Sequence, residues 1–324
     1  MLAALLVVVA LVVAACGSDD PSATPNPQGT SSATGALEPE EDLSSLSGDV
    51  GIDGSSTVFP ISEAVAEEFR SVAPKVRVQV GVSGTGGGFK RFCAGETDIS
   101  NASRAIKSSE LEICAANGIE FVEMLVGWDG LSVVVNPDND FVDELTIEEL
   151  KAIYEPGSTV NNWNQVRASF PDEELTIFAP DVDSGTFDFF TDEVVGEEGA
   201  SRSDYTASSD DNVLVQGISG EKGAKGYFGY AYYAENADKL KVLGVDGVVP
   251  DEETILAGDY PLTRPLFIYV RVDSLVEKAH VREFVRFYVE NAPALVADVD
   301  YVPVSTEQYD AARGAIARLT KYGL

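Results

Sequence analysis

Short alternating runs and amphipathic stretches follow one another along most of this chain. GDVGIDG, KVRVQVGV and RPLFIYVRV alternate or cluster apolar residues in the way of strands. PISEAVAEEFRSVAP and AHVREFVRFYVENAPALVADV repeat apolar residues with the period of a helix. Strands that alternate with helices predict an α/β fold with largely parallel sheets.

One long apolar segment and three small turns stand out within this pattern. IEFVEMLVGWDGLSVVVNP predicts two strands. The turns are GSSTVFP at 54–60, SGTGGGF at 83–89 and DSGTF at 183–187, and each joins a predicted strand to a predicted helix. The sequence therefore repeats one strand–turn–helix design three times.

These turns have the chemistry of an anion cage. Helix N-termini present unpaired backbone N–H groups and partial positive charge, Ser and Thr add hydroxyl donors, and Gly allows close approach. Taken singly, each turn is better explained as an ordinary helix cap. Three of one design in one chain predict a site for a tetrahedral oxyanion.

The overall charge limits the partners of the general surface. The 324 residues include 22 Lys and Arg against 54 Asp and Glu, which gives a net charge of −32. Such a field repels nucleic acid and anionic lipid headgroups, so neither is expected as a partner. Acidic residues on the surface keep the protein soluble. They do not determine what binds in a local pocket, because nearby dipoles there outweigh distant, screened charges.

The N-terminus predicts a location outside the cytoplasm. Residues 1–16 form an apolar run that ends in Val-Ala-Ala-Cys, which resembles a bacterial lipobox with Cys16 as the lipidated residue. No Lys or Arg precedes the run, which is a departure from the lipoprotein pattern. The alternative is a plain signal peptide or a membrane anchor. Residues 17–46 are rich in Ser, Pro, Gly and acids, which predicts a disordered tether.

Cysteine and histidine usage argues against metal and redox chemistry. Besides Cys16 the chain has only Cys93 and Cys114, and an even pair in an oxidising compartment predicts a Cys93–Cys114 disulfide. There is no C-x-x-C motif, and His280 is the one histidine, so neither a metal site nor a cofactor is expected. The glycine-rich turn lacks the P-loop and dinucleotide patterns, and no Gly-x-Ser-x-Gly surrounds Ser83.

Five motifs in order carry a family resemblance. They are DGSSTVFPISEAVAEEF, VGVSGTGGGFKRFCAGETDISNASRAI, DSGTFDFF, DDNVLVQGISGEKGAKGYFGYAYY and RPLFIYV. Together they resemble the phosphate-binding lipoproteins of bacterial Pst-type ABC transporters. The resemblance implies a two-lobed periplasmic-binding-protein-like fold of class II type, with two crossover strands and the ligand in the interlobe cleft. One lobe would comprise residues 47–134 plus 262–324, and the other 135–261.

The same resemblance implies the ligand set. The donor residues would be Ser56, Thr57, Ser83, Thr85, Gly86, Gly87, Ser184, Gly185 and Thr186. Arg104 would supply the cation, with a surface or interlobe ion pair as its alternative role. Asp183 would be a carboxylate that accepts the proton of a phosphate ligand, with a helix cap as its alternative role.

We therefore expect a monomeric, non-catalytic receptor on the extracytoplasmic face of a bacterial membrane. It would bind inorganic phosphate and deliver it to the permease and ATPase subunits of an ABC transporter, touching the membrane only through the lipid at Cys16. The alternatives are a receptor of the same fold for sulfate or molybdate and a secreted phosphatase. An adhesion module would leave the three turns unexplained.

Overall fold

In the computed structural model, which describes residues 43–182 and 184–322, strands and helices alternate as the pattern predicts. The strands are β1 Gly48–Gly54, β2 Val76–Val80, β3 Ile99–Ala102, β4 Phe121–Val135, β5 Glu144–Leu145, β6 Thr176–Pro180, β7 Thr206–Ser208, β8 Ala224–Gly229, β9 Lys241–Val242, β10 Gly244–Val245, β11 Thr263–Arg271 and β12 Val302–Pro303. The α-helices are α1 Phe59–Val72, α2 Gly84–Cys93, α3 Ser108–Ala116, α4 Ile147–Tyr154, α5 Trp163–Val166, α6 Gly185–Phe190, α7 Asp211–Gly220, α8 Tyr230–Glu235, α9 Glu252–Ala257, α10 Val272–Glu277, α11 Ala279–Asp298 and α12 Thr306–Tyr322. Cys16, Asp183 and most of the predicted tether lie outside the described residues.

The main sheet is mixed, which corrects the expectation of largely parallel sheets. Its strands follow the order β2-β1-β3-β11-β4-β8-β6-β7, with β9 and β12 also paired to β4. β1 is parallel to β2 and β3, and β6 is parallel to β7 and β8. Between these two parallel sets, β11 is antiparallel to β3 and β4, and β4 is antiparallel to β11 and β8.

The segment predicted as two strands is one strand of 15 residues, β4. Residues 121–130 of β4 pair with β11, and its last five residues pair with β8. The GWDG sequence in its middle looks like a turn, but its glycines allow close packing instead. A Cβ on Gly127 would lie 2.9 Å from Val296, and one on Gly130 would lie 2.7 Å from Ile255.

Two large apolar clusters lie on either side of this crossing. The first draws buried residues from 50–126 and 266–316, and the second from 131–262 with Val302. Trp128 packs against both clusters. The molecule therefore has the two-lobed architecture that the resemblance implied, while the borders at 134/135 and 261/262 stay a prediction.

Local features follow from the sequence. In α1, Pro60 occupies the first turn and the buried Ile61, Val65 and Phe69 recur every four residues on one face. Residues 43–46, placed in the tether by the prediction, include a 3-10 turn at Leu43–Ser45, and Leu43 and Leu46 pack against the first cluster. Within residues 43–182 and 184–322, no helix combines the length and apolar composition needed to cross a membrane.

The predicted disulfide is confirmed. Cys93, the last residue of α2, is bonded to Cys114 of α3, and both are buried. They pack in a small apolar cluster with Phe89, Phe92 and Tyr269. The bridge therefore ties the helix that follows the second turn to its neighbour.

Candidate functional site

The first turn is set by a glycine at the end of β1. Gly54 has φ +140°, and a Cβ there would lie 2.1 Å from the carbonyl oxygen of Asn101, so only glycine fits. The N–H of Ser55 donates to the same carbonyl at 3.0 Å, and the Oγ of Ser55 accepts from the N–H of Thr57 at 3.2 Å. These bonds hold Ser56 and Thr57 just before the start of α1.

The second turn is the first turn of α2 itself. The helix begins at Gly84, so Gly84, Thr85, Gly86 and Gly87 carry the N–H groups that have no intrahelical partner. The Oγ1 of Thr85 accepts from the N–H of Ser103 at 3.2 Å and lies 3.1 Å from the Oγ of Ser103. The start of α2 is thereby tied to the loop after β3.

The third turn caps α6 and approaches the first turn. The Oγ of Ser184 accepts from the N–H of Thr186 at 3.2 Å, which is an N-cap. A Cβ on Gly185 would lie 3.8 Å from the Oγ1 of Thr57, so these two turns face each other across a short gap. All three turns stand at strand-to-helix junctions, as the sequence predicted.

A cavity of about 340 Å³ lies between the first two turns and helix α6. It is lined by Ser55, Ser56, Thr57, Gly84, Thr85, Gly86, Ser103, Arg104, Asp188, Phe189, Asp192, Glu193, Glu198 and Arg264. Five predicted site residues are therefore brought together, namely Ser56, Thr57, Thr85, Gly86 and Arg104. Ser83, Gly87 and residues 184–186 adjoin the lining without forming part of it.

Arg104 lines this cavity and is also an ion-pair residue. Its Nη1 and Nη2 donate to Glu110 at 2.9 and 2.8 Å, and Nη1 also donates to the carbonyl of Ala105. Burial alone would raise the pKa of Glu110, but Arg104 and the N–H of Lys107 hold it below its usual value. Arg104 therefore forms the ion pair that was its alternative role, and it also lines the cavity.

Arg264 is a cavity residue that the sequence reasoning missed. Its Nε and Nη2 lie 3.0 and 2.9 Å from the Oδ2 of Asp129, the residue directly opposite on β4. Nη2 also donates to the carbonyl of Gly185 at 3.2 Å, and the guanidinium carbon lies 4.0 Å from the ring centre of Phe189. The available signal was an arginine directly after a turn, at the start of the strand motif RPLFIYV.

Four carboxylates form one wall of the cavity, and they were also missed. They are Asp188, Asp192, Glu193 and Glu198, from α6, the π-helical turn Thr191–Val195 and the residues after it. Burial raises the pKa of Asp188, Glu193 and Glu198, and the charge of Arg264 partly opposes this in each. Their signal was the acidic run after DSGTF, which was interpreted only as a helix.

Groups typical of metal or histidine chemistry do not assemble in the part of the chain that the structure describes. No group of three or more His, Cys, Asp or Glu side chains in residues 43–182 and 184–322 is placed to hold a metal ion. His280 lies at the start of α11, where its Nε2 is 3.2 Å from the carbonyl oxygen of Asp49, and it does not line the cavity.

Comparison with known proteins places this geometry in a family. A family model described as a PBP superfamily domain matches residues 24–292. The protein SphX of Synechocystis is 46% identical over 274 residues, which cover 82% of each protein. The phosphate-binding protein PstS of Staphylococcus saprophyticus is 40% identical over 267 residues, which cover 81% of this chain and 82% of that protein.

A solved structure is similar at the level of the whole fold. The crystal structure of a possible phosphate binding protein from Planctomyces limnophilus matches with a TM-score of 0.82 at 47% sequence identity. The match covers 86% of this chain and 100% of that one.

Proposed function

This chain belongs to the PBP superfamily, and from that premise we propose that it is an extracytoplasmic receptor which binds inorganic phosphate and delivers it to an ABC-type permease. The observation that carries the proposal is the cavity in which Ser56 and Thr57 of the first turn meet Thr85 and Gly86 of the second. Relatives named for phosphate binding cover most of the chain.

Capture works through oriented donors rather than through net charge. Hydroxyl groups and the free N–H groups at the start of α2 point their positive ends at an oxyanion, and Arg104 adds a cation. Residues 184–186, Ser83 and Gly87 adjoin the cavity, and closure of the lobes brings them to the ligand. It also removes water, which strengthens every one of these hydrogen bonds.

A carboxylate in such a cavity discriminates between anions by their protons. HPO4²⁻ and H2PO4⁻ carry a P–O–H donor that an ionised carboxylate accepts, whereas sulfate carries no proton and is repelled. We assign this role to Asp183. The expected result is selectivity for phosphate over sulfate.

The cellular arrangement follows from the N-terminus. Lipid at Cys16 anchors the protein to the outer face of the cell membrane, and the Ser- and Pro-rich segment lets the folded part reach a permease. The protein acts as a monomer with no catalytic step. Energy for transport comes from the ATPase subunits of the transporter.

Equilibrium dialysis of the full chain in mild detergent with labelled phosphate tests the proposal. We expect saturable phosphate binding that excess sulfate or molybdate leaves in place. Displacement by sulfate or molybdate would instead favour a receptor for another oxyanion. Turnover of a phosphomonoester that Ser184→Ala abolishes would favour a secreted phosphatase.

A further inference from the structure

We propose that Arg264 is a second ligand-binding cation of this cavity, with one edge of its guanidinium held by protein groups and the other presented to the phosphate. The inference rests on the proposed function and adds a residue to it. It comes from the lining of the cavity, in which two arginines, Arg104 and Arg264, stand with the donor turns.

The guanidinium of Arg264 is fixed before any ligand arrives. Its Nε and Nη2 are held by the Oδ2 of Asp129, and Nη2 is held also by the carbonyl of Gly185. The ring of Phe189 packs against its plane at 4.0 Å, and the side chain is only 14% exposed. A planar fork that is already ordered loses little entropy when it binds an oxyanion.

One nitrogen of this fork remains available. Among the described residues none accepts a hydrogen bond from Nη1 of Arg264, and the side chain lines the cavity. Arg104 differs, because Glu110 accepts from both of its Nη atoms. A phosphate oxygen therefore finds a free N–H pair on Arg264 without breaking an existing ion pair.

Arg264 also offsets the negative charge around the cavity. Asp188, Asp192, Glu193 and Glu198 line the same cavity, and no ion pair joins them to a cation among the described residues. Arg104 is ion-paired with Glu110. The positive field of Arg264 reaches Asp188, Glu193 and Glu198, so it offsets their repulsion of an anion.

Isothermal titration calorimetry of the full chain in mild detergent with inorganic phosphate tests this role. Arg264→Met removes the N–H donors at similar length, and we expect roughly a 10- to 100-fold weaker affinity from the loss of a charge-assisted hydrogen bond. Arg264→Lys keeps the charge and a contact to Asp129 but not the fork, so we expect an intermediate loss. Arg313→Met on α12 is the control, and we expect unchanged affinity.

Thermal unfolding of each variant without phosphate separates binding from folding. If Arg264→Met does not fold, the lysine variant decides the question. Wild-type affinity in a folded Arg264→Met or Arg264→Lys variant would overturn the inference and leave the phosphate receptor intact. No phosphate binding by the wild type would overturn the proposed function and, with it, this role of Arg264.

Discussion

At the residue scale, the geometry of the cavity depends on glycines that have no room for a Cβ atom. Gly88 lies one helical turn after the start of α2, and a Cβ there would lie 2.5 Å from the Cα of Gly54 and 2.9 Å from the Oγ of Ser100. Two glycines on different elements thus pack backbone to backbone. This contact sets the position of the second turn against the first.

Gly88→Ala is therefore expected to lower the free energy of unfolding by about 1 to 3 kcal/mol, because the added methyl overpacks a backbone contact. Phosphate affinity should fall as well, since the start of α2 must move away from β1. Chemical denaturation and calorimetry measure the two effects. Gly220→Ala is the matched control, because nothing lies within 4 Å of its Cβ position. A Gly88→Ala variant with wild-type stability would contradict this reading of the contact.

A second residue-scale prediction concerns Asp211, the first residue of α7. Burial, with help from the negative charges of Asp300 and Asp210, raises the pKa of Asp211 to about 6. The pKa of Asp211 in the unfolded chain is about 3.9. Between about pH 3.9 and pH 6 the folded state therefore binds more protons than the unfolded state, and the free energy of unfolding falls as the pH rises. The destabilisation is fully present above about pH 6.

Asp211→Asn removes this penalty, so the variant should be more stable than the wild type at pH 7 by about 1 to 3 kcal/mol. The difference should vanish near pH 4. Denaturant unfolding at both pH values measures it, with the exposed Asp238→Asn as control. An equal stability difference at pH 4 and pH 7 would argue against a titrating Asp211.

Sequence reasoning reached part of the candidate site and missed part of it, for physical reasons. The hydroxyl and glycine residues of the turns lie beside the helices that they begin, so Thr57 and Thr85 were visible as local patterns. Arg264 and Asp129 form their ion pair across 135 positions of sequence. The local signal, an arginine at the start of RPLFIYV, does not show that its partner is Asp129 or that it lines the cavity.

At the element scale, the alternation of strands and helices was predictable, but the direction and continuity of the central strands were not. β4 was expected as two strands, whereas it is continuous, and the glycines of its GWDG sequence allow Val296 and Ile255 to pack closely. Those partners lie far away in sequence. Likewise, a crossing strand such as β11 has the same apolar pattern in either direction.

The disulfide between α2 and α3 is the element-scale feature that is most easily tested. Its cysteines are 21 positions apart, and on the chain-entropy model closing this loop stabilises by about 3 kcal/mol. The double variant Cys93→Ala/Cys114→Ala should lose about this amount in denaturant unfolding. Stability equal to that of the oxidised wild type would show that the bridge adds nothing beyond the packing of α2 on α3.

At the scale of the whole molecule, ligand binding is expected to move the lobes. The surroundings of Trp128 should change when they move. Its ring packs against both apolar clusters, and its neighbours on the sheet are Pro265 and Val302. The other tryptophan, Trp163, is fully buried in the second cluster and donates to the carbonyl of Gly223 at 2.9 Å. Only Trp128 should change its surroundings.

Phosphate should therefore change the tryptophan emission of the wild type and of Trp163→Phe, but not of Trp128→Phe. Fluorescence titration alongside calorimetry checks this. A phosphate-dependent change that survives in Trp128→Phe would place the motion within the second cluster. Binding without any change in the wild type would argue against movement at Trp128.

The most direct test of the account is a crystal structure of the protein grown with phosphate. It should show the anion in the cavity, within hydrogen-bonding distance of Thr57 and of the N–H groups at the start of α2, with Gly185 closer than in the structure described here. Phosphate bound elsewhere, or a cavity without phosphate in crystals of a protein that binds it in solution, would contradict the claim that the three turns form the receptor site.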